Sequence, residues 1–323
     1  MKKALITGIT GQDGAYLAKL LLGKEYKVYG LVRRIVNRDF SNLVYLGIEK
    51  DIEYIDGDLT DEASLIHVVK TIRPDEIYHL AAQSFVGTSW DQPIVTSEIN
   101  AIGTLKLLDA IKHHHPSAKF YHAATSEMFG NSNFDGIQTE DTPFHPRSPY
   151  AISKLFAYWM TVNYKESFSM FCVNGILFNH ESPIRGKEFV SRKITDVVAR
   201  IKLGLAKDIK LGNLDSKRDW GFAGDYVEAM WLMMQEKEAD DYIISTGQTH
   251  SVKDFLDIAF KHAGIDDWSN YVNIDPRFKR PAELFTLQGK SDKAQKKLNW
   301  KPKVNFEELV KMMVDADLKR LKK

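Results

Sequence analysis

An α/β fold built around a parallel sheet covered on both faces is what this sequence predicts, and three observations predict it. Short apolar runs of strand length alternate with longer stretches of helical spacing through the first half of the chain. The first run ends in Gly8-Ile9-Thr10-Gly11-Gln12-Asp13-Gly14, which sets glycines at a strand-to-helix turn. The chain's 323 residues exceed one average domain and leave room for a second, smaller lobe.

The alternation reads ALIT, AYLAKLLL, YKVYGLV, DIEYID, LIHVVKTI, EIYHLAA, INAIGTLKLLDAI and KFYHAAT. Strand followed by helix, repeated, is the pattern of a Rossmann-type doubly wound sheet, because parallel neighbours need a crossover and the crossover helix covers the sheet. Beyond about residue 180 the rhythm becomes irregular, with a long helix expected at 190–204, a charged loop at 212–222 and a mixed segment at 265–290. Residues 1–180 are therefore expected to form the Rossmann domain, with about 219–247 returning to it, and residues 181–323 a mixed α/β C-terminal substrate lobe. The lysine-rich KAQKKLNWKPK reads as a solvated helix face and turn.

Composition excludes several function classes. With 44% hydrophobic and 27% charged residues and a net charge of +1, the chain has no field to attract nucleic acid or acidic membranes. No apolar stretch approaches the roughly 18 residues of a membrane span, and MKKALITG runs directly into a strand pattern, so a cytoplasmic protein is expected. The single cysteine, Cys172 in MFCVNGIL, excludes an intrachain disulfide and reads as a core thiol. His113, His114 and His115 point around a helix end rather than at one ion, and His180-Glu181 lacks a second histidine at helical spacing, so no metal site is expected.

At the glycine turn the missing Cβ atoms let the backbone bend tightly and approach a pyrophosphate, whose charge the N–H groups of the following helix would meet. Gly8, Thr10, Gly11, Gln12, Asp13 and Gly14 are the candidates there. The second strand ends GLVRR, with no carboxylate to hold an adenosine ribose, and Arg33 and Arg34 offer guanidinium forks to a 2′-phosphate. That favours NADP over NAD. Asp58 and Leu59 follow the third strand, and Leu80, Ala81, Ala82, Gln83 and Ser84 follow the fourth, where small residues would line a cofactor.

Ser148-Pro149-Tyr150 opens a helix with an N-cap serine and a proline at its first position, and Lys154 lies one turn beyond the tyrosine. The spacing puts Tyr150 and Lys154 on one face, where the ammonium and the helix N-terminus are expected to lower the phenol pKa. The fifth strand ends Thr125-Ser126-Glu127, two hydroxyls and an acid. A polar turn closing a buried strand would account for the same triplet.

GITGQDGAYL, LAAQS, TSEMFG, PRSPYAISK, NGILFNHESP, LGNLDSKRDWG and KRPAE together resemble the extended short-chain dehydrogenase/reductases and, within them, the GDP-mannose 4,6-dehydratase family, along essentially the whole chain. The resemblance implies a homo-oligomer, dimer or tetramer, that binds NADP and GDP-mannose. It implies that Tyr150 removes the C4 hydroxyl proton, Thr125 holds the C4 oxygen, Lys154 binds the nicotinamide ribose, and Glu127 eliminates water across C5 and C6. It further implies that His180 and Arg185 approach the nicotinamide, that Asn179, Lys193, Arg218 and Arg280 surround the sugar diphosphate, and that Glu283 accepts from ribose hydroxyls. Ser84 and Ser126 complete the substrate set, while Trp220 reads as packing. Ile35-Val36 after the arginine pair and Val95 depart from the family pattern. A different nucleotide-sugar dehydratase, a reductase or epimerase, and a redox-sensing module are the rival readings; Glu127 speaks against the second, and the intact Tyr150 and Lys154 against the third.

Overall fold

The computed structural model describes residues 1–131, 136–278, 281, 282, 284 and 286–322. From the N-terminus, β1 (Lys3–Thr7) leads through the glycine turn into α1 (Gln12–Gly23), and β2 (Lys27–Val32), α2 (Ser41–Leu46), β3 (Glu53–Asp56), α3 (Glu62–Ile72) and β4 (Glu76–His79) follow. Two short helices, α4 (Thr88–Asp91) and α5 (Pro93–Ser97), run through a π-helical turn at Glu98–Ile102 into α6 (Gly103–His114) and then β5 (Lys119–Thr125). After β6 (Ile137–Gln138) come α7 (Pro149–Phe168), β7 (Cys172–Leu177), β8 (Asn179–Glu181), α8 (Val190–Lys202) and β9 (Ile209–Leu211). The remainder is β10 (Lys217–Arg218), β11 (Trp220–Phe222), α9 (Ala223–Gln235), β12 (Tyr242–Ile244), β13 (His250–Ser251), α10 (Val252–His262), β14 (Val272–Ile274), β15 (Thr286–Gly289), α11 (Asp292–Leu298) and α12 (Phe306–Leu321).

Seven parallel strands form the main sheet in the order β12-β7-β5-β4-β1-β2-β3. Its central strands are apolar on both faces because both are covered. In β1, Ala4 and Ile6 enter the core that includes Ala15 and Ala18 of α1 and Met230 and Met233 of α9, while Leu5 enters the opposite core with Leu65 of α3 and Leu107 of α6. All nine of these residues are fully shielded, and each large aliphatic among them contributes about 1.5–3 kcal/mol by leaving water.

Smaller sheets surround the main one: β13-β10-β15-β6 in one group, and the parallel pairs β11-β8 and β14-β9. The segment expected to be a charged loop at 212–222 thus contains two short strands, β10 and β11, whose pairing is set by partners far along the chain. Apolar faces of α8, α10 and α12 close over Trp220 in a third core. Trp220 stacks on Phe306 with centroids 5.7 Å apart. Across this core Arg192 donates through Nε to both oxygens of Asp317, at 3.0 and 2.9 Å, in an ion pair shielded from water. Capping boxes at Ser251/Asp254 and Asn305/Glu308 start α10 and α12.

The KAQKKLNWKPK segment is an anchor as well as a solvated face. Lys293 and Lys297 pair with Asp240, and Trp300 is buried, donating to the Asp225 carbonyl at 2.8 Å. Among the described residues no helix is long and apolar enough to cross a membrane, and no group of three or more His, Cys, Asp or Glu side chains could hold a metal ion.

The glycine turn is packed backbone to backbone. A Cβ on Gly14 would lie 2.3 Å from the Gly8 carbonyl oxygen and 2.7 Å from the Ile9 Cα, neither of which can move without shifting β1 against α1. Gly14→Ala is therefore expected to lower stability by at least about 2 kcal/mol in urea unfolding and to loosen cofactor binding with it.

Candidate active site

The C-terminal ends of β1, β2, β4, β5 and β7 meet at one edge of the sheet, the edge at which a doubly wound sheet takes its ligand. At the end of β1, Gly8 is left-handed with φ +74°, and a Cβ there would meet the Ala81 nitrogen at 2.8 Å. Gly11 donates to the Gly8 carbonyl at 3.0 Å and begins α1 with no side-chain cap, so the helix N-terminus is open to an anion. This cradle, kept clear of side chains by Gly8 and Gly11, fits the pyrophosphate of a nicotinamide dinucleotide.

The flanking residues brace the turn. Gln12 donates to the His180 carbonyl and to Asp13, each at 3.0 Å, and accepts from the Ser182 hydroxyl at 2.8 Å. Its side chain is thereby committed to protein partners. Asp13 accepts from His180 Nε2 at 2.8 Å, and the Thr10 carbonyl accepts from Asn42 at 2.9 Å. After β4, the Thr7 hydroxyl oxygen accepts from the Leu80 and Ala81 N–H groups, both at 3.1 Å. Ala82 and Gln83 continue half-buried and Ser84 is exposed.

Arg33 and Arg34 are exposed at the end of β2, on a recess of about 320 Å³ that also takes in Asp56, Asp58, Asp61 and Ser64. Strand β2 itself ends without a carboxylate, but its neighbours bring three. Each is committed: Asp56 pairs with Arg38, Asp58 accepts from the Thr60 N–H and hydroxyl at 2.9 and 2.8 Å, and Asp61 caps α3. Leu59 turns its side chain into the core rather than the groove. Ile35 and Val36, next to the arginines, are exposed.

The catalytic candidates converge at β5 and α7. The Thr125 hydroxyl accepts from the Glu127 N–H at 3.2 Å, and Thr125 stands close enough to favour the Tyr150 phenolate. Ser126 is buried beside it. Ser148 caps α7 by accepting from the Ala151 N–H at 3.1 Å, which fixes the turn that carries Tyr150. Burial pushes the Tyr150 phenol up to about 12, and the Glu127 charge pushes the same way while Thr125 and Arg185 oppose it. Against the lowering expected from the helix spacing, the Lys154 ammonium donates to the Ala123 carbonyl at 2.9 Å, and desolvation of the phenolate pushes the phenol upward. Burial also pulls Lys154 down to about 8.

One residue of the site had no signal in the sequence. Asn100 lies in the π-helical turn; its side chain accepts from the Gln83 N–H at 2.8 Å and donates to the Gln83 carbonyl at 3.0 Å and the Ser153 hydroxyl at 3.1 Å. Ser153 in turn donates to the Tyr150 carbonyl at 2.7 Å. Asn100 thus ties the lining after β4 to the first turn of α7, yet its neighbours INAIGT read as an ordinary apolar helix.

Among the remaining candidates, Arg185 Nε lies 3.0 Å from Glu181 and its guanidinium covers the Phe189 ring at 3.5 Å. Asn179 sits in β8 opposite Trp220. Lys193 donates to the Lys210 carbonyl at 2.6 Å with its ammonium 3.6 Å from the Phe278 ring. Arg218, buried, donates to the carbonyls of Lys217 at 2.8 Å and Leu284 at 3.0 Å. Arg280 and Glu283 lie outside the described residues.

The sequence model of the family described as GDP-mannose 4,6 dehydratase matches residues 5–313. The chain is 51% identical to GDP-mannose 4,6 dehydratase 2 of Arabidopsis thaliana over 334 residues, covering 100% of this chain and 88% of that protein. The chain belongs to the GDP-mannose 4,6-dehydratase family. The family's human member is 47% identical, with 99% of this chain and 92% of that protein covered. Among solved structures, the UDP-glucose 4-epimerase of Thermus thermophilus in complex with NAD superposes with a TM-score of 0.85 at 26% identity, over 98% of each chain. The dTDP-glucose 4,6-dehydratase of Bacillus anthracis in complex with NAD gives a TM-score of 0.86 at 21% identity, over 100% of this chain and 98% of that one, and shows the shared fold.

Lys154 offers a direct test of the electrostatics. Its folded pKa lies below the unfolded value of 10.5, so the unfolded chain holds more protons between about pH 8 and 10.5, and stability rises with pH across that window. Below it the full penalty is present. Lys154→Met is expected to stabilise the protein at neutral pH by about 1–3 kcal/mol in urea unfolding while abolishing turnover.

Proposed function

We propose that this chain converts GDP-mannose to GDP-4-dehydro-6-deoxymannose and water with NADP as its cofactor, residues 1–180 and about 219–247 holding the dinucleotide and the rest of 181–323 the nucleotide sugar. The observation that carries the reading is the placement of Glu127 within electrostatic reach of Tyr150, on a turn anchored by Thr125. A hydride transfer alone needs only the phenol; a carboxylate beside it suits an elimination.

Held in the glycine cradle, a nicotinamide would supply a reversible hydride acceptor, and its positive ring charge would favour the Tyr150 phenolate against the cost of burial. Tyr150 takes the C4 hydroxyl proton as hydride leaves that carbon, while the Thr125 hydroxyl orients the C4 oxygen. The resulting ketone acidifies the C5 hydrogen. Glu127 takes that proton and delivers it to the departing C6 hydroxyl, which leaves as water. As C6 is reduced, Tyr150 would return its proton to C5. A phenol exchanges with solvent, so the proton arriving at C5 carries the solvent's label.

Arg33 and Arg34 support NADP, since the nearby carboxylates are each occupied and leave two exposed guanidinium groups at the strand end. Replacing Arg34 by Ala is expected to weaken NADP+ relative to NAD+ by about 10–100-fold, the loss of one or more charge-assisted hydrogen bonds. Equal loss for both dinucleotides in calorimetry would remove Arg34 from the 2′-phosphate.

The reaction itself is tested with GDP-mannose and NADP+ in deuterated water, read by mass spectrometry. Loss of one water, one deuteron gained at C5 and no net NADPH is the expected result. Glu127→Gln should lower kcat by about 10²–10⁴-fold. Unchanged GDP-mannose, together with NADPH-driven reduction of a 4-keto sugar, would establish a reductase instead.

A further inference from the structure

We infer that Asp13 is a positioning residue that holds His180 as an imidazolium, so that the glycine turn carries a neutral ion pair rather than a bare carboxylate where the dinucleotide's pyrophosphate must bind. The inference rests on the dinucleotide reading of the glycine turn, and its first test does not.

The protonation state follows from the partners. His180 Nδ1 lies 2.8 Å from the Phe178 carbonyl oxygen, and Nε2 lies 2.8 Å from Asp13 Oδ2. A carbonyl oxygen only accepts, and so does a carboxylate, so both ring nitrogens must donate. The alternative, a protonated Asp13 facing a neutral ring, is opposed by the electrostatics. Although burial acts against both charges, the pair holds the Asp13 carboxyl below the usual range and the His180 imidazole above it.

The groups around the pair act in both directions. Asp13 Oδ1 accepts from Gln12 at 3.0 Å, so both carboxylate oxygens are engaged. From α9, the neutral phenol of Tyr226 stacks on the imidazole at 4.6 Å between centroids. Arg185 opposes a second positive charge on His180 and favours the negative one on Asp13, while Glu181, the next residue, is turned to Arg185 and Ser191. The phenols of Tyr121 and Tyr150 both feel the Asp13 charge.

A carboxylate in the first turn of α1 suits the helix dipole, but it would compete with a diphosphate for the same N–H groups and repel it. Pairing with His180 removes the repulsion and links the turn to β8, the strand that leads into the second lobe. Asp13 therefore acts through His180 and needs no contact with the reacting atoms.

Nitrogen-15 histidine spectra of the intact protein, without substrate, test the charge directly. At about pH 8, where an unperturbed histidine is neutral, His180 should show both nitrogens protonated, and Asp13→Asn should return it to the neutral form. A neutral His180 in the unmodified protein overturns the inference whatever reaction the enzyme performs, and this measurement needs no variant to fold. Calorimetry with NADP+ tests the consequence. His180→Phe keeps the stack on Tyr226 but strands the Asp13 charge, and should weaken NADP+ by about tenfold or more. Adding Asp13→Asn should recover most of that loss. A double variant as weak as His180→Phe alone would mean that His180 serves the cofactor without reference to Asp13, and would overturn it.

Discussion

At the end of β1 the backbone of Gly8 passes so close to Ala81 that no side chain fits between them, and the Thr7 hydroxyl takes the N–H groups of Leu80 and Ala81 across the same gap. This contact sets where the N-terminus of α1 stands relative to the end of β4. Much of the site hangs from it. The lining after β4 runs to Gln83, Gln83 is held by Asn100, Asn100 holds Ser153, and Ser153 bonds to Tyr150. A short series of hydrogen bonds thus carries the position of the glycine turn to the first turn of α7.

The site assembled in this way is expensive in electrostatic terms. Tyr150 and Lys154 are both shielded from water, and burial acts against the charged form of each. Asp13 and His180 offset the same penalty by pairing, and Glu181 with Arg185 and Arg192 with Asp317 repeat the solution further along the chain. Removing one partner of such a pair leaves a buried charge unmatched, which is why these residues constrain one another more than their separation in sequence suggests.

The parallel sheet and its glycine turn were legible because they rest on local rules: alternation of short and long apolar periods, and glycine where backbone must touch backbone. Family membership was legible because TSE, YAISK, NHESP and RDWG are contiguous. Other features were not. Strands β10 and β11 are two and three residues long and exist through partners such as Thr286 and Asn179, so the local sequence carries no period to read. Asn100 is hidden in an apolar run, and Trp300 sits within a stretch whose lysines suggested only solvent.

By itself the sequence determined the fold class, the family, the glycine cradle and the presence of a phenol, an ammonium and a carboxylate suited to dehydration, since each depends on residue type and short spacing. Only the tertiary structure decided their charges. Spacing along α7 set Lys154 one turn from Tyr150 and pointed to a lowered phenol pKa, yet the depth of burial pushes that phenol upward and sends the ammonium to the Ala123 carbonyl. Asp13 and His180 stand 167 positions apart in the chain and meet only because β8 returns to the mouth of β1. Desolvation and pairing depend on what surrounds a group in three dimensions, and no one-dimensional pattern records that.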